Sequence, residues 1–208
     1  MKQPSDTDLY RYFNSRKAGL LDEEQYRSFA IFVPLIYKED GPHLLFQVRG
    51  KKIRQPGEIC FPGGRVDPGD KSAEAAAVRE LIEEIGVKNT EVTVYAQLDY
   101  MITPYKFNIY PFLGEISSEA EMNLNRAEVQ EVFTVPVKAL LKMEPSTYNI
   151  YHEVQPEETF PYHLIPGGRD YDWRTGVVHE HFYEYEGRVI WGLTARILKH
   201  VLHLLSSR

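Results

Sequence analysis

GGRVDPGDKSAEAAAVRELIEEIGV, residues 63–87, is the stretch on which the reading of this chain turns. Ser72 supplies an N-cap hydroxyl, Glu74 suits a first helical turn, and Gly86 closes a helix in the left-handed conformation. These signals predict a helix over Ser72–Ile85. On a wheel of ~100° per residue, Ala75, Val78, Leu81, Ile82 and Ile85 share one face, the face expected to pack on a sheet. Glu80, Glu83 and Glu84 fall on the other face at i, i+3 and i+4, where side chains are neighbours. Like charges so placed cost about 0.2–0.5 kcal/mol per pair in an isolated helix. A merely solvated acidic face usually interleaves lysines, whereas Ala73, Ala76 and Ala77 stand here and leave room for another group. A hard divalent cation held through oxygen, Mg²⁺ or Mn²⁺, is the simplest compensation.

Arg79 lies four residues before Glu83 and can hold that carboxylate by charge-assisted hydrogen bonds. Pro62-Gly63-Gly64 allows a close backbone approach, and a carbonyl there, Gly64 in particular, can complete a metal shell. A carboxylate cluster with a divalent metal, and no thiol or Ser/His nucleophile, suits hydrolysis of a phosphoanhydride. Coupled carboxylates titrate as a group, and one of them can serve as the general base.

Working outward, residues 1–29 read as a polar, helical N-terminal extension (Asp6 to Lys17, then Asp22 to Phe29), and residues 30–208 as one domain. Ala30–Tyr37 and His43–Arg49 are apolar runs of strand length joined by KEDGP, a hairpin signal. Glu58–Phe61, Glu91–Tyr100, Phe107–Ile116, Val129–Val135, Tyr148–Val154 and His179–Tyr185 read as further strands. Pro136–Lys142 and Ile190–Leu205 read as helices, with Trp191, Leu193 and Leu198 in the core. The order predicts a mixed sheet with helices packed on it.

The chain has 208 residues, 43% of them apolar, and a formal charge of −6. That balance excludes a general nucleic-acid binder, which carries a basic face. A single cysteine, Cys60, excludes an intramolecular disulfide and a Cys-based zinc cage; it reads as a small buried hydrophobe. No run reaches the roughly 18 apolar residues of a membrane span. With no signal-peptide pattern at the start, a cytoplasmic location is expected. His179, His181, His200 and His203 read as structural or surface residues, 164–178 as a connecting loop or flap, and Glu128 and Glu131 as strand-edge carboxylates outside the site.

The 63–87 stretch resembles the box of the Nudix hydrolases, G-x5-E-x7-R-E-U-x-E-E-x-G-U. Gly64 matches the opening glycine, and Arg79 to Val87 match the second half throughout. Asp70 stands where the family usually has Glu, with eight residues instead of seven before Arg79. The same insertion is found in the coenzyme A pyrophosphatase branch, whose upstream signature is similar to Leu45–Gly50, Arg54, Gly57 and Phe61–Gly64. Gln47 and Gly50 replace Thr and Ser/Ala of that signature, and two residues instead of three separate Arg54 from Gly57. The resemblance covers residues 30–205. It implies a Nudix α/β/α sandwich with a mixed β-sheet and a loop-helix-loop catalytic motif. It also implies Glu80 and Glu84 as primary metal ligands, with Glu83 a further ligand or a carboxylate held by Arg79. The catalytic pair is then Glu83 and Arg79, and the metal set Glu80, Glu83, Glu84 and Gly64.

Arg49 and Arg54, in a basic run between a strand and the glycine turn, are candidate clamps for substrate phosphates. The implied reaction is Mg²⁺- or Mn²⁺-dependent cleavage of a nucleoside diphosphate linked to another moiety. The leading substrate is coenzyme A or acyl-CoA, giving 4′-phosphopantetheine and adenosine 3′,5′-bisphosphate. An ADP-ribose or NADH pyrophosphatase and a non-catalytic nucleotide sensor are the alternatives. An allylic diphosphate isomerase ranks below both, because Cys60 lies in no isomerase motif. The expected partner is a small-molecule nucleotide, without nucleic acid or membrane, and a homodimer is kept as an option for assembly.

Overall fold

Residues 27–38, RSFAIFVPLIYK, form the strand around which the fold is built. In the computed structural model, which describes residues 6–207, this strand (β1, Arg27–Lys38) pairs with strands on both sides. Ahead of it lie an exposed helix (α1, Asp6–Ser15) and a single 3-10 turn at Glu23–Gln25. The helix expected over Asp22–Phe29 is therefore replaced by that turn and the start of β1. Phe29 packs its ring on Phe107 instead of lying on a helix. Residues 1–5 of the expected extension, and Arg208, lie outside the described residues.

The hairpin appears as read. β2 (Gly41–Arg49) runs antiparallel to β1, with Leu35 opposite Leu44 and Lys38 opposite Gly41. β3 (Ile59–Cys60) pairs with β2, and β4 (Gly63–Arg65) pairs with β1, placing Gly64 opposite Ala30. The catalytic-type helix follows as α2 (Ala73–Ile85). The Ser72 hydroxyl accepts from the Ala75 N–H at 3.1 Å, and Gly86 caps the far end with φ 77°. β5 (Val92–Gln97), β6 (Met101–Ile102) and β7 (Phe107–Ile116) come next. β7 runs parallel to β1, with Phe32 opposite Phe112. β8 (Val129–Pro136) returns to pair with β2 and leads into the short α3 (Val137–Leu140). Among the described residues these eight strands form one mixed sheet.

The sheet is covered on both faces, which is why β1 and β2 read as unbroken apolar runs. Ala30, Phe32, Ile36, Leu45, Phe112 and Ile116 face α2. Val33, Leu35, Leu44, Phe46 and Ile109 face the other way, against α3 and the last helix, α4 (Gly192–Ser206). The result is an α/β/α sandwich. A separate three-stranded sheet stands beside it: β9 (Ser146–His152), β10 (Gly176–Tyr185) and β11 (Arg188–Ile190). Two 3-10 turns, Tyr162–Leu164 and Gly168–Asp170, shape the connection between β9 and β10.

Two packing expectations are corrected. Ala76 and Ala77 are fully buried against the sheet together with Leu81, Glu84 and Ile85, so the alanines are contact points of α2 with the sheet and not space beside the acids. Ala75, Val78 and Ile82 are turned partly outward. On α4, Leu198 is core, but Trp191 is 40% and Leu193 38% exposed. Trp191 is the N-cap of α4 and Leu193 lies in its first turn.

Candidate active site

The site is organised by Arg79. Its Nε and Nη2 each donate at 3.0 Å to the two carboxylate oxygens of Asp70, a bidentate pair. Nη2 also reaches the Arg65 carbonyl, while Nη1 donates to Glu80 at 2.8 Å and to Glu83 at 3.0 Å. The guanidinium thus ties the end of β4, the Asp67–Asp70 turn and two turns of α2 into one unit. Asp70, whose side chain is 8% exposed, is held below the usual carboxylate range by these bonds. Its backbone turn is closed by the Asp67 N–H, which donates to Asp70 Oδ2 at 2.8 Å.

The three glutamates differ sharply in environment. Glu83 is 54% exposed, with one oxygen on Arg79. Glu80 is more enclosed and lies over Gly64, where a Cβ would sit 2.4–2.6 Å from its carboxylate atoms. Burial raises its pKa, with Arg79 acting against the shift. Glu84 is buried, and its Oε2 accepts from the Gly63 N–H at 2.9 Å. Desolvation pushes Glu84 up to about 7, offset in part by the Gly63 amide and by Gln47, and reinforced by Glu80 and Glu128. The sheet therefore presents two acids at adjacent glycines, Glu84 at Gly63 and Glu80 at Gly64, with Glu83 drawn outward to Arg79.

Among the described residues no three His, Cys, Asp or Glu side chains already converge as a metal cage. The donor set nonetheless suits a hard cation. It is all oxygen, Glu80 occupies a cradle that any side chain at position 64 would fill, and Glu84 is a buried acid beside two further carboxylates. Glu80, Glu84 and the Gly63–Gly64 main chain are the groups that can hold such an ion, with Glu83 at the rim.

Arg49 and Arg54 are brought together by the loop after β2. Arg49 Nε donates to the Arg54 carbonyl at 3.0 Å, and the Gly57 N–H bonds the Arg49 carbonyl at 3.0 Å. Arg49 is half-buried and Arg54 exposed. Gly50 packs its backbone on residues 127 and 128, where a Cβ would meet main-chain atoms at 3.0 Å. Its N–H donates to the Glu128 carbonyl at 2.7 Å.

Sequence reasoning set aside or missed two contributors. Glu128, set aside as a strand-edge carboxylate, adds its charge to the field at Glu80 and Glu84. Glu131 does lie apart, paired with Arg188 at 2.6 Å. Gln47, read only as a departure from the upstream signature, is fully buried, helps hold down the pKa of Glu84, and donates from Nε2 to the Cys60 sulfur at 3.6 Å. A buried amide at an otherwise apolar β2 position was the available signal. Cys60 itself is half-buried, and desolvation raises its thiol pKa. His181 is buried between Thr147 and Lys199 on the second sheet, away from the acids.

Residues 27–154 match the NUDIX domain family. "Nudix hydrolase 3" of Caenorhabditis elegans is 31% identical over 193 residues, which is 89% of this chain and 76% of that protein. The "Peroxisomal coenzyme A diphosphatase NUDT7" of Mus musculus is 34% identical over 148 residues, covering 69% of this chain and 56% of its own. The crystal structure of a MutT/nudix family protein from Enterococcus faecalis aligns with a TM-score of 0.50 at 16% identity, over 99% of this chain and 71% of that one, and speaks to the fold alone. The chain belongs to the Nudix hydrolase family and is a pyrophosphatase acting on phosphoanhydride bonds.

Proposed function

We propose that this enzyme hydrolyses coenzyme A or an acyl-CoA in the presence of Mg²⁺ or Mn²⁺. Water adds to one phosphorus of the diphosphate and the bridging P–O bond breaks. The products are 4′-phosphopantetheine (or its acyl form) and adenosine 3′,5′-bisphosphate. The observation that carries the reading is the short loop ahead of the Gly63–Gly64 turn, folded back so that Arg49 Nε donates to the Arg54 main-chain carbonyl, which puts both arginines on one loop. Two guanidiniums there supply charge for a phosphate beyond the diphosphate itself, and coenzyme A has one on its ribose. The 34% identity to a mouse protein named as a coenzyme A diphosphatase supports the same substrate.

A bound divalent ion supplies Lewis-acid neutralisation of the diphosphate and a more acidic water. Glu80, Glu84 and the Gly64 carbonyl would hold it. Arg79 fixes the Glu80 and Glu83 rotamers, and a Glu83 carboxylate oxygen takes the proton of the attacking water. The polar segment ahead of Arg27, where β1 begins, is an extension of the catalytic domain, and the proposed compartment is the cytoplasm. No helix among the described residues is long and apolar enough to cross a membrane.

The test is a substrate panel with Mg²⁺, Mn²⁺ or EDTA, the products being identified by ion chromatography and mass spectrometry. Metal-dependent release of adenosine 3′,5′-bisphosphate from coenzyme A is expected. Intact coenzyme A alongside cleaved ADP-ribose or NADH overturns the substrate, and tight nucleotide binding without turnover makes the chain a sensor. Fractionation of cells tests the compartment against the peroxisome in the mouse protein's name.

A further inference from the structure

Beyond the acids, a groove of about 510 Å³ runs between the β3 side of the main sheet and β11. One wall is Pro56, Gly57, Glu58 and Ile59, which end the Arg49–Arg54 loop. The opposite wall is Phe182, Arg188, Val189 and Trp191. Trp191 is the wrong residue to leave in water for packing reasons alone. Its ring lies parallel to Phe182, at 8° with centroids 5.8 Å apart, yet it remains 40% exposed. Tyr148 meets the Phe182 ring edge-on at 5.6 Å and helps hold the stack in place. Arg188 sits 4.2 Å above the Phe133 ring and pairs with Glu131 at 2.6 Å, so the far rim is also fixed.

We propose that this groove takes the adenine ring of the substrate, stacked on the Trp191–Phe182 shelf with its exocyclic amine toward the Glu58 and Glu131 carboxylates. The inference rests on the coenzyme A reading above, in which an adenine is present. Charge decides the occupant. Two carboxylates line the groove, and its one cation, Arg188, is already paired, so a phosphate is repelled and an N–H donor is welcomed. A rigid flat shelf suits a planar heteroaromatic ring better than a flexible pantetheine arm, because stacking needs no ordering of the shelf. The groove shares a wall with the basic loop: Pro56 and Gly57 line it, and the Gly57 N–H donates to the Arg49 carbonyl at 3.0 Å. A nucleotide with its base in the groove has its phosphates toward Arg49 and Arg54 on the adjoining loop.

The experiment uses the full chain carrying W173F, which leaves Trp191 as the sole indole. Its fluorescence is titrated with AMP, inosine monophosphate and pantetheine, without metal. Saturable quenching by AMP, weaker by inosine monophosphate and absent with pantetheine, is expected. Steady-state kinetics on the hydrolysed substrate then compare W191A and W191F in the otherwise native chain. W191A raises KM roughly tenfold with kcat within twofold, and W191F recovers most of the loss. Quenching by pantetheine and not AMP assigns the groove to the other arm and overturns the proposal. So does an unchanged KM in W191A. If the native chain cleaves no adenine-containing diphosphate, the functional reading fails, while AMP quenching still decides the groove by itself.

Discussion

Arg79 and Asp70 meet through two parallel hydrogen bonds of 3.0 Å, joining the middle of α2 to the turn that precedes it. The pair sets where α2 begins relative to the glycine turn, and through Nη1 it sets where Glu80 and Glu83 point. Arg79→Lys keeps the charge but loses the planar fork. Turnover should fall roughly 100-fold, the cost of an ångström-scale misplacement, with a smaller change in KM. Wild-type kcat in this variant, measured at saturating substrate and metal, would remove Arg79 from its positioning role.

Glu84→Gln keeps the shape and the Gly63 contact while removing the charge. The protein should fold normally and lose turnover by about 10²–10³-fold, the range for deleting one electrostatic contribution at a reacting centre. Divalent metal should no longer raise its Tm. Circular dichroism, thermal melts with and without Mn²⁺, and initial rates check the three parts.

The raised pKa of Glu84 carries a stability consequence in the metal-free protein. Its folded value is about 7 against an ordinary 4.5, so the folded state binds more protons than the unfolded state between those values. Stability is therefore full below pH 4.5 with respect to this group and is lost as pH rises toward 7. The loss is about 3 kcal/mol at 1.36 kcal/mol per unit. Asp70 works in the opposite sense and in another window, because its pKa is lowered: it stabilises above the ordinary value and loses that effect only in strong acid. Denaturant melts in EDTA from pH 4.5 to 8 should show the decline, Glu84→Gln should flatten it, and Mn²⁺ should reverse it. A wild-type profile parallel to that of the variant would contradict the assignment.

The two glycines of the turn should fail in different ways. At Gly63 an added Cβ would meet the Ala30 carbonyl at 2.4 Å and Ile31 Cα at 2.8 Å, both in the main strand. Gly63→Ala should cost about 2–4 kcal/mol and lower Tm. At Gly64 the Cβ would meet only the movable end of Glu80. Gly64→Ala should stay near wild-type in Tm and lose activity roughly tenfold or more, because Glu80 is pushed from its seat. A melt and an activity assay on each variant separate the outcomes.

The parts legible in the sequence were those whose signals are local. Ser72 and Gly86 frame α2, and the apolar runs of β1, β2 and β7 stand out because both faces of the sheet are covered. Alanine has no such signature. Ala76 and Ala77 pack where α2 comes closest to the sheet, so the wheel was read with its buried stripe turned, and Glu84 was placed outside with the other acids instead of inside with Leu81. The partners of the acids were hidden for a different reason. Gln47 acts on Glu84 from β2 and Glu128 from the turn ahead of β8, and no spacing along the chain announces a contact made between separate elements. A helix that is apolar on most sides gives no clue that its N-cap Trp191 and first-turn Leu193 stay partly exposed.

Pairing of β4 with β1 leaves little tolerance in the spacing of this segment. Phe29 to Ile31 lie opposite Arg65 to Gly63, and the helix starts at the Ser72 cap. A deletion before Gly63 or after Ser72 would slide a bulky residue beneath Glu80 or rotate the acids off their seat. Val66 is tied to Ser28 and the Asp67–Asp70 turn to Arg79. The one-residue length difference from the usual box falls between Asp70 and Arg79, so Lys71, between that turn and the Ser72 cap, is where it can be absorbed.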